Sequence, residues 1–215
     1  YAAVNNCAAA QARGELLLFL NNDTEAINPD WLESMVKQAV QPGVGAVGAK
    51  LYYADDTIQH AGIVVGMGGV AGHSHLFYPR QAAGYMQRLR ITQNVAAVTG
   101  ACLLMPRAVF EKVGGFDEGF VLAFNDVDLC LRIRAKGYLI AWTPYVELYH
   151  HESATRGSDA TPERLPEFLR EVGYMKDHWS EVIQRDPYFN PNLSFESAHF
   201  DLAFPPRAPK PWLDR

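Results

Sequence analysis

The chain has 215 residues, 48% of them hydrophobic and 20% charged, which suits a globular protein with one sizeable core. A net charge of −5 argues against a nucleic-acid partner, and there is no polybasic stretch to bind an acidic membrane surface. No apolar run reaches the roughly 20 residues that span a bilayer. Residues 1–6 lack the basic start of a signal peptide, so the expected compartment is the cytoplasm.

Residues 1–13 are alanine-rich with Asn, Gln and Arg, and Gly14 follows as a helix C-cap. The chain thus opens inside a helix with no initiator Met, and a longer parent protein is expected. Glu15 to Leu20 is an apolar run of strand length that stops at Asn21-Asn22-Asp23. Such a run reads as a strand buried on both faces, as in a parallel sheet, with Asp23 at its carboxyl end where open α/β sheets bind ligands. Asn28-Pro29-Asp30 reads as a helix start, and Leu32, Met35, Val36, Ala39 and Val40 make one apolar helical face. Val44 to Leu51 is the next strand. This alternation predicts an α/β fold.

Residues 52–90 are rich in glycine and contain His60, His73 and His75. They read as a loop wall of a site whose histidines are solvated; His73-x-His75 would suit a metal only with further ligands. Small residues in Val95 to Met105 permit close approach of a ligand or another backbone. Pro106 opens a short helix closed by Gly114-Gly115. The segment 124–137 reads as a helix with acids in its first turn, bases in its last and Gly137 at its end. Strands are expected at 138–142 and 145–149, either side of Pro144, then a helix from about 162 to 183 and an extended tail. Cys7, Cys102 and Cys130 read as buried free thiols.

Three clusters end regular elements: Asn21 to Asp23, Asn125 to Asp128, and His150-His151. With Thr99-Gly100-Ala101-Cys102, Val113 to Glu118 and His150-His151-Glu152-Ser153, they resemble, in order, the motifs of family 2 glycosyltransferases, especially bacterial rhamnosyltransferase-like enzymes of surface polysaccharides. The resemblance covers residues 1 to about 157 and continues in the tail motif Asp186 to Leu193.

This resemblance implies a GT-A-like α/β fold: a mostly parallel sheet flanked by helices, N-terminally truncated. Residues 1–157 would be a partial catalytic domain and 158–215 a C-terminal helix and tail packed on it. Function would be inverting transfer of a sugar from a nucleotide-sugar donor to a glycan or lipid-linked acceptor, in the cytoplasm or peripherally at the inner face of the membrane. Asn21, Asn22 and Asp23 match the Asp-x-Asp motif; Asp23 and His150, with His151 as fallback, would hold Mg2+ or Mn2+. Asp126 would be the general base. Gly100, Ala101, Gly115, Phe116, Asp117 and Asp128 would line the acceptor side. The family's nucleotide-gripping first strand has no counterpart here, which would weaken donor binding and leave a sheet edge open to self-association. Two other readings stay open: a module that binds an acceptor glycan through Trp142, Tyr145, Tyr149, Trp179 and Tyr188, aromatics that could equally be core, and a metal-dependent phosphoesterase.

Overall fold

The computed structural model describes residues 1–151 and 162–208. Helix α1 (Ala2–Gln11) leads into β1 (Leu16–Leu20), a short β2 (Thr24–Ala26), α2 (Trp31–Ala39) and the long β3 (Val44–Tyr52). Four short strands follow: β4 (Ile58–His60), β5 (Ile63–Val65), β6 (Ala71–His73) and β7 (Gln93–Val95). Then come β8 (Cys102–Pro106), α3 (Arg107–Lys112), α4 (Asn125–Ala135), β9 (Leu139–His150) and α5 (Leu165–Gln184).

The main sheet runs β1-β8-β3-β9-β2, with β4 beside β3 and β7 beside β9. The α/β class holds, but the sheet is mixed. Among the described residues only β3 and β9 pair in parallel; β1–β8, β3–β8, β3–β4, β7–β9 and β2–β9 are antiparallel. The apolar run in β1 reports burial on two faces and says nothing of direction. Leu17 and Phe19 face a cluster with Phe110 and Phe116, while Leu16 and Leu18 pack with the second cluster around Met35 and Leu104. These clusters lie on opposite faces of the sheet, α2 covering one and α4 the other.

Strand β9 is continuous through Pro144. Its outer edge pairs with β7 at residues 140–142 and with β2 at 148–150. Pro144 falls between, where its missing N–H leaves no ladder bond unmade. Helix α2 starts at Trp31, later than Asn28. Asn28 Nδ2 donates to the Tyr145 carbonyl at 3.2 Å and its Oδ1 accepts from the Glu147 N–H at 2.9 Å, which fastens the connection to β9.

The boundary expected at 157 and the residues Glu152-Ser153 lie outside the described residues. Beyond them α5 packs on the sheet domain, with Met175 in the main core. The tail follows: Phe189, Leu193 and Phe200 form a third cluster with Val64 and Met67. Asp186 fixes its start, accepting from the Val65 N–H at 2.9 Å and the Tyr188 N–H at 2.8 Å. Burial raises its carboxyl pKa. Trp142 is fully buried, whereas Tyr145 is exposed. Among the described residues no helix is long and apolar enough to cross a membrane.

Candidate active site

The turn after β1 and the end of β9 meet because β2 pairs with β9, Thr24 opposite His150. The His151 N–H donates to the Asp23 carbonyl at 2.9 Å, closing the join. Asp23 Oδ1 then lies 3.2 Å from His150 Nε2. That carboxylate oxygen is buried and has no hydrogen-bond partner. Asn21 Nδ2 faces the same ring nitrogen at 3.2 Å, and Asn22 is exposed. His151 points elsewhere, stacked on Tyr149 and 3.5 Å from Glu25.

Asp126 sits in the first turn of α4, partly exposed. Its Oδ2 accepts from the Gly100 N–H at 2.8 Å and its Oδ1 from the Val127 N–H at 2.8 Å. The next residue, Ala101, accepts the Asn21 N–H at 2.9 Å. One dipeptide, Gly100-Ala101, thus ties the Asp126 carboxylate to the Asn21–Asp23 turn. A side chain at Gly100 would meet the Tyr1 hydroxyl at 2.6 Å, so a larger residue there would displace the Tyr1 side chain. Tyr1 donates to the Gly100 carbonyl at 2.9 Å. Although Tyr1 as a residue is exposed, its hydroxyl end is buried there; that burial, reinforced by the Asp126 charge, raises the phenol pKa.

A divalent cation fits the Asp23–His150 pair. Octahedral ligands at about 2.1 Å lie about 3 Å apart, near the spacing seen, and such ions accept one or two protein carboxylates plus substrate phosphates. Imidazole is an acceptable co-ligand. Among the described residues no group of three His, Cys, Asp or Glu side chains converges, so the protein would supply Asp23 and His150.

The profile of a family described as glycosyltransferase like family 2 matches residues 2–170. The chain belongs to glycosyltransferase family 2. A Sinorhizobium fredii protein, y4gI, is 55% identical over 206 residues, 95% of this chain and 23% of its own length. The O-antigen biosynthesis protein RfbC of Myxococcus xanthus is 43% identical over 211 residues, 94% of this chain and 16% of its own. An N-acetylglucosaminyl-diphospho-decaprenol L-rhamnosyltransferase of Mycobacterium tuberculosis is 33% identical over 128 residues, 55% of this chain and 41% of its own. The chain therefore spans less than half the length of each. GalNAc-T7, solved with UDP, GalNAc and Mn2+, superposes with a TM-score of 0.59 at 14% identity, over 91% of this chain and 38% of that one. The mannosyltransferase PcManGT of Pyrobaculum calidifontis, solved with GDP-Man and Mn2+, gives 0.52 at 20% identity, over 86% and 49%. Both share the GT-A fold.

Within this family 2 domain, Gly115, Phe116 and Asp128, expected on the acceptor side, are buried, and Asp117 is half-buried. Phe116 is buried with Phe19, Phe110 and Tyr1. Gly115 has φ +72° and gives its carbonyl to Arg132 at 2.7 Å. Asp128 is buried between Arg132 and Trp179. Asp117 accepts from the Gly119 N–H at 2.8 Å and the Tyr174 hydroxyl at 3.2 Å. Gly100 and Ala101 are also buried, but their backbones carry the ties just described.

Of the histidines in the 52–90 segment, His60 and His75 are buried and His73 is half-buried. His60 is fully buried; its Nε2 accepts from Gly62 and Thr99 and its Nδ1 meets His73 Nδ1 at 2.9 Å. Burial first, then the neighbouring His73 and His150, hold its pKa well below the ordinary histidine value. His75 accepts from the Tyr85 N–H at 3.1 Å and packs on Phe200; burial, then Arg88 and Lys50, lower its pKa to about 3. Cys102 and Cys130 are buried, and burial pushes both thiols up to about 12, but Cys7 is exposed. Glu171 and Gln59 were not among the sequence candidates, and both are organising groups. Glu171 Oε1 accepts from Val121 and Leu122, and Oε2 from Ala123, which holds the loop before Asp126.

Proposed function

We propose that this chain carries the metal-bearing and base-bearing side of an inverting glycosyl transfer from a nucleotide-sugar donor to a glycan or lipid-linked hydroxyl. One observation carries the reading: a buried carboxylate oxygen without a hydrogen-bond partner, Asp23 Oδ1, faces a histidine nitrogen at 3.2 Å. Buried charged groups are paired or bind metal, so a cation is what this arrangement asks for. Support comes from relatives named for O-antigen biosynthesis and L-rhamnosyl transfer, and from fold neighbours solved with nucleotides and Mn2+. A hexose or deoxyhexose such as rhamnose is the sugar class proposed.

Asp23 and His150 would hold Mg2+ or Mn2+, which when bound offsets the charge on a departing nucleoside diphosphate. Asp126 takes the proton of the acceptor hydroxyl as that oxygen attacks the anomeric carbon. The new C–O bond forms on the face opposite the bond to the diphosphate, which breaks, and the configuration inverts. Gly100 fixes the direction of Asp126 Oδ2, and its own carbonyl is held by Tyr1. Among the described residues β1 pairs with β8 alone, and its other edge is where a second chain could add a strand.

The test is release of nucleoside diphosphate from a panel of nucleotide sugars in the presence of Mn2+. Asp126→Asn should lower it about 10²- to 10⁴-fold, the usual contribution of a positioned base. Turnover within a few-fold of wild type in that variant would remove Asp126 from the role.

A further inference from the structure

Gln59 lies on β4, and only 4% of it is exposed. Its amide makes two contacts with one residue across the sheet. Nε2 donates to the His150 carbonyl at 3.2 Å, and Oε1 lies 2.7 Å from His150 Nδ1. The pair of contacts fixes the amide's orientation, because reversing it would set two oxygens against each other at the carbonyl. Oε1 can only accept, so the proton on His150 must sit on Nδ1. Nε2 is then unprotonated and presents its lone pair. One further contact agrees: the Asn21 Nδ2–H group faces Nε2 at 3.2 Å, where an unprotonated nitrogen can accept from it, and Asp23 Oδ1 lies at the same distance.

We propose that Gln59 is a positioning residue that locks His150 in the Nδ1–H tautomer and keeps its Nε2 unprotonated beside Asp23, forming the nitrogen half of a divalent-cation site. The cation half of this statement rests on the reading of Asp23 and His150 as metal ligands; the tautomer half does not. Histidine ligands are commonly oriented by an acceptor on the far ring nitrogen, and losing that acceptor weakens metal binding about 10- to 100-fold. The acceptor here is a neutral amide that also grips the backbone of the residue it orients. This constrains ring rotation and peptide position together.

The experiment uses the 215-residue chain labelled with ¹⁵N. Long-range ¹H–¹⁵N spectra report which ring nitrogen of His150 is protonated, with His150→Ala assigning the signals, and electron paramagnetic resonance of free Mn2+ reports affinity for Mn2+ alone. Wild type should show a protonated Nδ1. Gln59→Leu should shift His150 toward the Nε2–H form and weaken Mn2+ about 10- to 100-fold. Gln59→Glu keeps an acceptor oxygen at Nδ1 and should preserve the Nδ1–H tautomer, but it sets an oxygen against the His150 carbonyl, so only the tautomer is read from this variant. Protonated Nε2 in the wild type, or an unchanged tautomer in a folded Gln59→Leu, would overturn the proposal. Should Gln59→Leu fail to fold, the wild-type and Gln59→Glu spectra still decide it. A locked tautomer in a wild type that binds no Mn2+ would support the lock and defeat the metal reading.

Discussion

Asp128 Oδ2 accepts from Arg132 Nε at 2.7 Å, one turn along α4. Arg132 Nη1 donates in turn to the Val113 and Gly115 carbonyls, each at 2.7 Å, while Asp128 Oδ1 accepts from Trp179 of α5 at 3.0 Å. The carboxylate is a junction between α4, the 113–115 turn and the C-terminal helix. Asp128→Ala should cost about 3–5 kcal/mol, because it leaves a guanidinium with one-quarter of its side chain exposed and no counter-charge. Urea denaturation measures it. A loss below about 1 kcal/mol would mean that water reaches Arg132 freely.

Glu171 does for the preceding loop what Asp128 does for the turn. Three backbone N–H groups, on residues 121, 122 and 123, end on its two oxygens at 2.6–2.9 Å. Glu171→Ala should lower stability by about 2–4 kcal/mol, the cost of losing several charge-assisted bonds in a buried place. Glu171→Gln replaces one acceptor oxygen with a donor facing N–H groups, so it should recover only part of that loss. Amide hydrogen exchange at 121–123 should accelerate in both variants by more than exchange in β3 does, which separates a local loop defect from global destabilisation.

Local patterns made much of this readable in advance. The β1 run, the capped and charge-matched α4 and the carboxyl-end position of Asp23 are each properties of contiguous residues, and each is where the sequence puts it. Strand direction is not a local property. Two-face burial of β1 comes from helices packed above and below, and the same apolar run serves an antiparallel partner as well as a parallel one. Gln59 and Glu171 carry no local signature at all, since their partners stand 91 and about 50 residues away. The buried histidines failed for a related reason. Glycine-rich sequence suggested solvent, but the C-terminal tail, through Phe200 and Phe189, covers that segment.

That covering makes the protein sensitive to acid. His75 and His60 are buried with pKa values pulled down, to about 3 for His75 and well below 6.5 for His60. Below about pH 6.5 the unfolded chain takes up these protons and the native state does not, so stability falls as pH falls through the window from 6.5 toward 3. Each such histidine contributes a slope of up to about 1.4 kcal/mol per pH unit. Asp186 works in the opposite sense: its raised pKa lets the native state take up a proton before the unfolded chain does, so it adds stability as pH falls from that raised value to about 3.8. Between pH 7 and pH 5 the histidines should prevail. Urea midpoints across that range should drop in wild type, and His75→Phe should flatten the slope even though its absolute stability is lower. An unchanged slope would mean that His75 is protonated in the native state.

Mn2+ offers a test of the Asp23–His150 pair that needs neither donor nor acceptor. A ligand that binds only the folded state stabilises it by about 2.7 kcal/mol at one hundred times its dissociation constant. For a chain of 150–250 residues, one kcal/mol moves the melting temperature roughly 2–4 °C, so saturating Mn2+ should raise it by roughly 5–10 °C. Removing the ion with a chelator should reverse the shift. Asp23→Ala takes away the carboxylate oxygen that lacks a hydrogen-bond partner, and His150→Ala the nitrogen 3.2 Å from it; either change should abolish the shift. His151→Ala should leave it intact, because that ring lies against Tyr149 and Glu25. A shift that survives loss of Asp23 but not of His151 would move the cation to the outer face of β9 and away from Gly100 and Asp126.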